Sequence, residues 1–170
     1  MANVDYPHGF RPVRHISGVP FQLEAFTKAA SYGTALFIGD AVNQVADSTL
    51  ETNGTPGTTL ISGVCMNYGA LSTLTDHLVI ADPFVIFEAQ TDGSLVTADQ
   101  GLNANILYGA GSTTTHISAY EINSATEDTT STLDVKLLRL SPIHGNASGT
   151  NSVWEVQWNN HRRLAASAGV

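Results

Sequence analysis

The sequence is short of charge, and especially short of positive charge. Of its 170 residues, 13% are Asp, Glu, Lys or Arg, about half the usual quarter for a soluble domain. Only seven are Lys or Arg against fifteen Asp or Glu, which gives a formal net charge of −8. Binding to a phosphate backbone requires clustered Lys and Arg. We therefore expect no nucleic-acid partner.

The sequence also lacks cysteine pairs and long apolar runs. A single cysteine, Cys65, excludes an internal disulfide, and its place in the apolar run 60–66 predicts a small buried strand residue. No run approaches the roughly 20 apolar residues that cross a bilayer. The first residues show neither the positive segment nor the apolar core of a signal peptide. We expect a protein made in a reducing cytoplasm, with no membrane partner.

Apolar and small polar residues make up most of the chain. Apolar residues account for 42%, and 59 residues are Thr, Ser, Asn or Gly. The length fits one domain with a single hydrophobic core. The charge is unevenly distributed: residues 1–20 carry +1, residues 21–135 carry −12 and residues 136–170 carry +3. The body is therefore acidic, and both ends are basic.

Residues 1–20 are predicted to form an extended arm, ahead of a β-rich body at residues 21–170. Proline and glycine interrupt any helix or long strand in this segment. They stand at five positions: Pro7, Gly9, Pro12, Gly18 and Pro20. Four apolar residues give the arm anchors: Tyr6, Phe10, Val13 and Ile16. We expect the arm to lie on its own body or on a neighbouring molecule.

The body is predicted to be mainly β. Apolar and polar residues alternate with period two in several short segments, as in half-buried strands. The clearest are 21–26, 133–137 and 153–158, and the apolar run at 84–90 is a further strand candidate. One helix is a candidate, over Thr97–Tyr108, although Gly101 and two Asn residues weaken it. Eight or more short strands separated by turn signals predict a single β-sandwich or barrel-like domain with at most one short helix.

Motifs that would indicate an active site are missing. No two of the six histidines lie within six residues of each other, so no local metal-binding pair exists. They are interpreted as turn and interface residues: His8, His15, His77, His116, His144 and His161. Six aspartates stand singly in turn sequences, and the Glu127-Asp128 pair lies in a Thr-rich loop. Segment 109–115 lacks the Lys of a phosphate-binding loop. It is interpreted as a hairpin connection.

We therefore expect no enzymatic activity, catalytic residue, cofactor, metal ion or small-molecule substrate. A hydrolase whose site is assembled from distant acids or histidines is the least favoured alternative.

Two tryptophans in one strand leave two interpretations open. Trp154 and Trp158 are four residues apart, so they share a face of the strand predicted over 153–158. Core packing is favoured because the intervening Glu155 and Gln157 form the expected wet face. An exposed aromatic platform for carbohydrate is the alternative.

The opening residues, Ala2 to His15, are the most specific string in the sequence, reading ANVDYPHGFRPVRH. This string resembles the start of small structural proteins encoded among the head genes of tailed bacteriophages. Further segments carry the same resemblance. They are 35–42, 82–90 with Asp92-Gly93, 109–113 with Ser118 and Glu121, and 155–161. The resemblance spans nearly the whole chain.

The resemblance implies a capsid decoration, or cement, protein of the virion. Such proteins bind the outer surface of the mature head and lock neighbouring major capsid protein subunits, frequently as trimers. A homo-oligomer, with a trimer favoured, is therefore expected beside the major capsid protein as partner. Apolar anchors and basic ends are the expected contact residues. They are Tyr6, Phe10, Arg11, Val13, Arg14, Ile16, Arg162 and Arg163. The alternative is another virion module, in the neck or tail or binding host-surface glycans.

Overall fold

The computed structural model describes residues 3–164. The last six residues of the predicted body, 165–170, lie outside them. Within 3–164 the backbone forms fourteen strands and one 3₁₀ turn at Thr97–Asp99, so the prediction of a mainly β protein is confirmed. The strands are β1 Arg11–His15, β2 Glu24–Lys28, β3 Ala41–Gln44, β4 Leu50–Thr52, β5 Gly63–Cys65, β6 Thr75–Ile80, β7 Val85–Gln90, β8 Ser94–Leu95, β9 Asn103–Ala104, β10 Ile106–Leu107, β11 Glu121–Ile122, β12 Val135–Leu140, β13 Gly149–Thr150 and β14 Val153–Trp158.

The first sheet has five antiparallel strands in the order β1-β7-β14-β12-β9. Alternation along β7 and β14 sends Phe87, Trp154, Val156 and Trp158 into the main core, where each is at most 2% exposed. Core packing of both tryptophans is therefore confirmed. The carbohydrate platform is wrong, because neither indole reaches the surface.

The second sheet is also antiparallel, in the order β2-β6-β5-β3-β4. It is curled, because its edge strands β2 and β4 come into contact, but no ladder joins these edges within residues 3–164. Val64 and Ile80 point into the main core, whereas the alternating Cys65 and Val79 belong to a second, smaller core. Burial of Cys65 in a strand is confirmed. The two sheets are consistent with a β-sandwich.

The N-terminal segment lies on the protein's own body, which is one of the two places expected for it. Residues 11–15 form β1, the edge strand that pairs with β7, and Phe10 is fully buried with its ring centroid 4.8 Å from that of Trp158. The register shifts between Pro12 and Arg14. An edge strand with a bulge tolerates the proline that argued against a strand in the sequence.

Gly9 explains how the segment enters the core. Its φ is +66°, and a Cβ there would lie 2.5 Å from both the Gly39 carbonyl oxygen and the Ser118 Cβ. The neighbouring Phe10 amide donates a hydrogen bond to the same Gly39 carbonyl. Only glycine fits this close crossing, which seats Phe10 in the core.

The helix predicted over Thr97–Tyr108 is wrong beyond its first turn. The 3₁₀ turn ends at Asp99, and Gly101 follows with a φ of +94°, which no helix accepts. Strands β9 and β10 occupy the remainder, and the buried carboxylate of Asp134 accepts the Ile106 amide hydrogen at 3.1 Å. Long-range pairing therefore overrides the weak local helical pattern.

Candidate functional site

The outward side of the first sheet carries two short rows of side chains across its four longest strands. In each row a basic residue stands on β1 and another on β12, with the residues of β7 and β14 between them. One row is Arg11, Glu88, Glu155 and Arg139, and the other is Arg14, Ile86, Gln157 and Lys136. We call these eight residues the basic face.

Strand alternation places the basic face opposite the core. Phe87 and Ala89 point inward, so Glu88 between them points outward, and Val135 and Leu137 fix Lys136 outward in the same way. Three interstrand gaps of about 4.8 Å separate β1 from β12, which spaces the two basic edges about 14 Å apart. Bases therefore lie along both sides of this face, and the residues between them include Ile86 and Glu155, which are only 3% and 1% exposed.

Glu155 lies at the centre of this face and is covered by two arginines. Arg14 Nη2 is 2.6 Å from Glu155 Oε2, and Arg139 binds both carboxylate oxygens through Nε at 2.9 Å and Nη2 at 2.7 Å. Glu155 is on the outward side of the strand, as expected, but it is only 1% exposed, so the prediction that it is exposed to solvent is wrong. The expected exposure fails because the two guanidinium groups take the place of water over the carboxylate.

Glu88 is the neighbour of Glu155 in the antiparallel pair β7–β14. Like charges directly opposite each other destabilise a sheet. The Ser141 hydroxyl donates a hydrogen bond to Glu88 Oε1 at 2.5 Å, and the arginine pair neutralises Glu155. These contacts allow two glutamates to stand side by side at the centre of the face.

The basic face differs in charge from the remainder of the protein. It holds four of the seven Lys and Arg residues and two of the fifteen acids, all within the described residues, so its net charge is +2. The remainder carries −10, because −8 minus +2 leaves that amount. A positive surface on a negative protein favours an acidic partner in one orientation.

The residues predicted to bind a partner fall into two groups. Arg11 and Arg14 lie on the basic face, and Val13, Ile16 and Tyr6 are 41%, 59% and 65% exposed. Their contact with a partner, or with another copy of the chain, stays a prediction.

The prediction that Phe10 contacts a partner is wrong. Its side chain is fully buried in the core with Trp158, Phe87 and Tyr120.

The two C-terminal arginines lie against the second sheet. Arg163 forms a bidentate ion pair with Glu24 at 2.6 and 2.7 Å, and Arg162 donates to the Gln44 carbonyl. The fold therefore does not bring them to Arg11 and Arg14. Lys136 and Arg139 occupy that place, and they were missed as site residues although their positive charge had been counted in the basic end of the chain.

Three histidines are core residues, which corrects their assignment to turns and interfaces. His8, His77 and His161 are 6%, 0% and 1% exposed. Burial lowers the pKa of all three, and that of His161 to about 4. Residues 3–164 contain no group of three or more His, Cys, Asp or Glu that could hold a metal ion.

Comparison with known proteins gives no relative: no family model matches the chain, and no curated protein or solved structure is significantly similar to it. Among the described residues, no helix has the length and apolarity needed to traverse a membrane. The basic face is therefore the feature from which a function can be inferred.

Proposed function

We propose that the protein is a bacteriophage capsid decoration protein, non-enzymatic and without a cofactor. It binds the outer surface of the mature head and stabilises contacts between major capsid protein subunits. The basic face carries this proposal, because a broad, charge-patterned sheet surface suits docking onto another protein surface. A binding surface that is poor in apolar side chains is also stable in water before it meets its partner.

The N-terminal string that resembles phage head proteins supports the proposal through its place in the fold. Gly9 and Phe10 tie the string to the core, and Arg11 and Arg14 place two of the four bases on the basic face. The most family-specific residues of the sequence are thus those that build one edge of the proposed docking surface. The net charge of −10 outside the face disfavours nucleic acid as the partner.

Binding to purified capsids tests this function. Expanded heads that lack their decoration protein should bind the purified chain stoichiometrically and saturably, and the decorated heads should resist a higher temperature. Unexpanded heads serve as the matched control, because their coat subunits have not reached the mature arrangement. Failure to bind expanded heads, or binding with no gain in heat resistance, would contradict the proposal.

A further inference from the structure

The two arginines over Glu155 still have unused hydrogen-bond donors. The Glu155 carboxylate accepts hydrogen bonds from Nη2 of Arg14 and from both Nε and Nη2 of Arg139. A guanidinium group has five N–H donors, so Nε and Nη1 of Arg14 and Nη1 of Arg139 have no described acceptor. These side chains are 41% and 50% exposed. Each arginine is therefore held by Glu155 while a large part of its side chain stays exposed, with donors left for another acceptor.

Glu155 is well placed to fix both arginines. It lies on β14, the middle strand of the first sheet, and its side chain is 2% exposed. Arg14 comes from β1, two strands away on one side, and Arg139 comes from β12 on the other. A side chain already held in its bound geometry loses less conformational freedom on binding than a free one. The carboxylate thus makes two flexible cations into one rigid group.

The charge of this group selects the partner. Two guanidinium groups and the Glu155 carboxylate together carry +1, the adjacent Glu88 offsets this charge, and Arg11 and Lys136 at the edges bring the whole face to +2. Arg11 forms no ion pair with any described residue. Guanidinium groups bind carboxylates through paired N–H donors, so the complementary surface is one that presents Asp or Glu side chains.

We propose that Arg14 and Arg139, positioned by Glu155, form a preorganised receptor for the carboxylates of an acidic patch on the partner protein. The assignment rests on the proposed function to the extent that this partner is the major capsid protein. In this receptor Glu155 is a positioning residue. It strengthens binding to the partner's carboxylates because it holds the two arginines in place.

A substitution of Glu155 separates preorganisation from simple charge attraction. Glu155→Gln raises the net charge of the basic face from +2 to +3, so attraction alone would tighten binding to an acidic surface. A receptor that needs Glu155 should instead dissociate about tenfold faster, because two arginine side chains that are no longer held in place must be ordered on binding. The readout is the dissociation rate from immobilised expanded heads and from a decaglutamate peptide. Equal or tighter binding by Glu155→Gln overturns the receptor.

Two further variants control the experiment. Glu24→Gln makes the same charge change at another arginine-paired glutamate, on the second sheet, and its dissociation rate should stay within about twofold of the parent. Arg139→Lys keeps the charge and the fold at a half-exposed position but loses the planar fork. It should dissociate several-fold faster even if Glu155→Gln proves unstable. Arg139→Lys with the parent rate overturns the receptor independently.

The probes distinguish failure of the receptor from failure of the function. Loss of decaglutamate binding in the variants, with no binding of the parent to heads, supports the receptor and contradicts decoration. Unchanged head binding in the variants overturns the receptor and leaves decoration standing. Duplex DNA is the third probe, and tight binding to it that depends on Arg14 and Arg139 overturns the choice of an acidic protein. Absence of binding to every probe overturns both proposals.

Discussion

Glu155 in the first sheet and Lys28 in the second are both ionisable strand residues, 1% and 0% exposed. Glu155 contacts two guanidinium groups. Lys28 Nζ has no hydrogen-bond partner among the described residues, and it lies 6.0 Å from the ring centroid of Tyr32. Burial accordingly lowers the pKa of Lys28. One sheet neutralises its buried charge through paired side chains, whereas the other buries an amine without a partner.

This difference separates two tasks in the molecule. The first sheet has an apolar inner face, which supplies stability, and a charged outer face on which the buried carboxylate of Glu155 is paired with two arginines. The second sheet holds a small core in which Lys28 and His77 make stability depend on pH. The following substitutions examine each side of the comparison, from the largest expected effect to the smallest.

Phe10→Ala tests whether the inner face supplies the stability of the first sheet. The ring is fully buried against Trp158 and Tyr120, so its loss should lower the free energy of unfolding by about 3–5 kcal/mol. Urea denaturation at pH 7 measures this loss. Tyr6→Ala, four residues earlier and 65% exposed, is the matched control and should change it by less than about 0.5 kcal/mol. Similar losses in both variants would show that the segment is held by its surface.

Lys28→Met tests the cost of the unpaired amine. Removing a buried donor without an acceptor should raise the free energy of unfolding at pH 7 by about 1–3 kcal/mol. The lowered folded pKa means that, between this value and 10.5, the unfolded chain binds a proton that the folded protein does not. Stability of the parent therefore rises with pH through this window, and the advantage of Met shrinks. Urea titrations at pH 7 and pH 10 that show the same advantage would contradict this account.

Glu121→Gln tests an intermediate arrangement, in which carboxylates meet without a base. Burial, with the charges of Asp5 and Asp92, raises the pKa of Glu121 from 4.5 to about 7. Between these values the folded protein keeps a proton that the unfolded chain has lost, so stability falls as pH rises through the window.

Because Glu121 is partly exposed, solvent screening limits the gain from Gln to below about 1 kcal/mol, or roughly 2–4 °C in melting temperature. The gain should appear at pH 8 and vanish at pH 4 in thermal unfolding followed by circular dichroism. A gain of equal size at both pH values would point to packing instead.

The sequence reveals the parts of this fold that depend on local alternation. Period two located β12 and β14 and oriented Trp154 and Trp158 toward the core, because each side chain takes its face from its immediate neighbours. The same rule gave the correct side for Glu155 but not its burial, since this burial depends on Arg14 and Arg139, which are 141 and 16 residues away.

The candidate site was only half visible for the same reason. Arg11 and Arg14 lie in one short segment of the sequence and were predicted together. Arg139 and Lys136 lie on β12, which is separated from β1 by the two strands β7 and β14. Strand order and register are properties of the assembled sheet, and no spacing within the chain encodes them. Strand β1 was not predicted, because Pro12 argues against a strand in general. Proline is excluded from central strands but is tolerated in an edge strand such as β1.

The central position of β14 has a consequence for biosynthesis. All strands of the second sheet lie before residue 81, whereas the first sheet places its last strand, Val153–Trp158, between β7 and β12. Because synthesis runs from the N-terminal side, the second sheet can assemble early, but the first must wait until residues 153–158 have been made. Fragments that stop before residue 153 lack Glu155 and cannot align Arg14 with Arg139. The pairing of Arg14 and Arg139 through Glu155 is therefore possible only after β14 has been made.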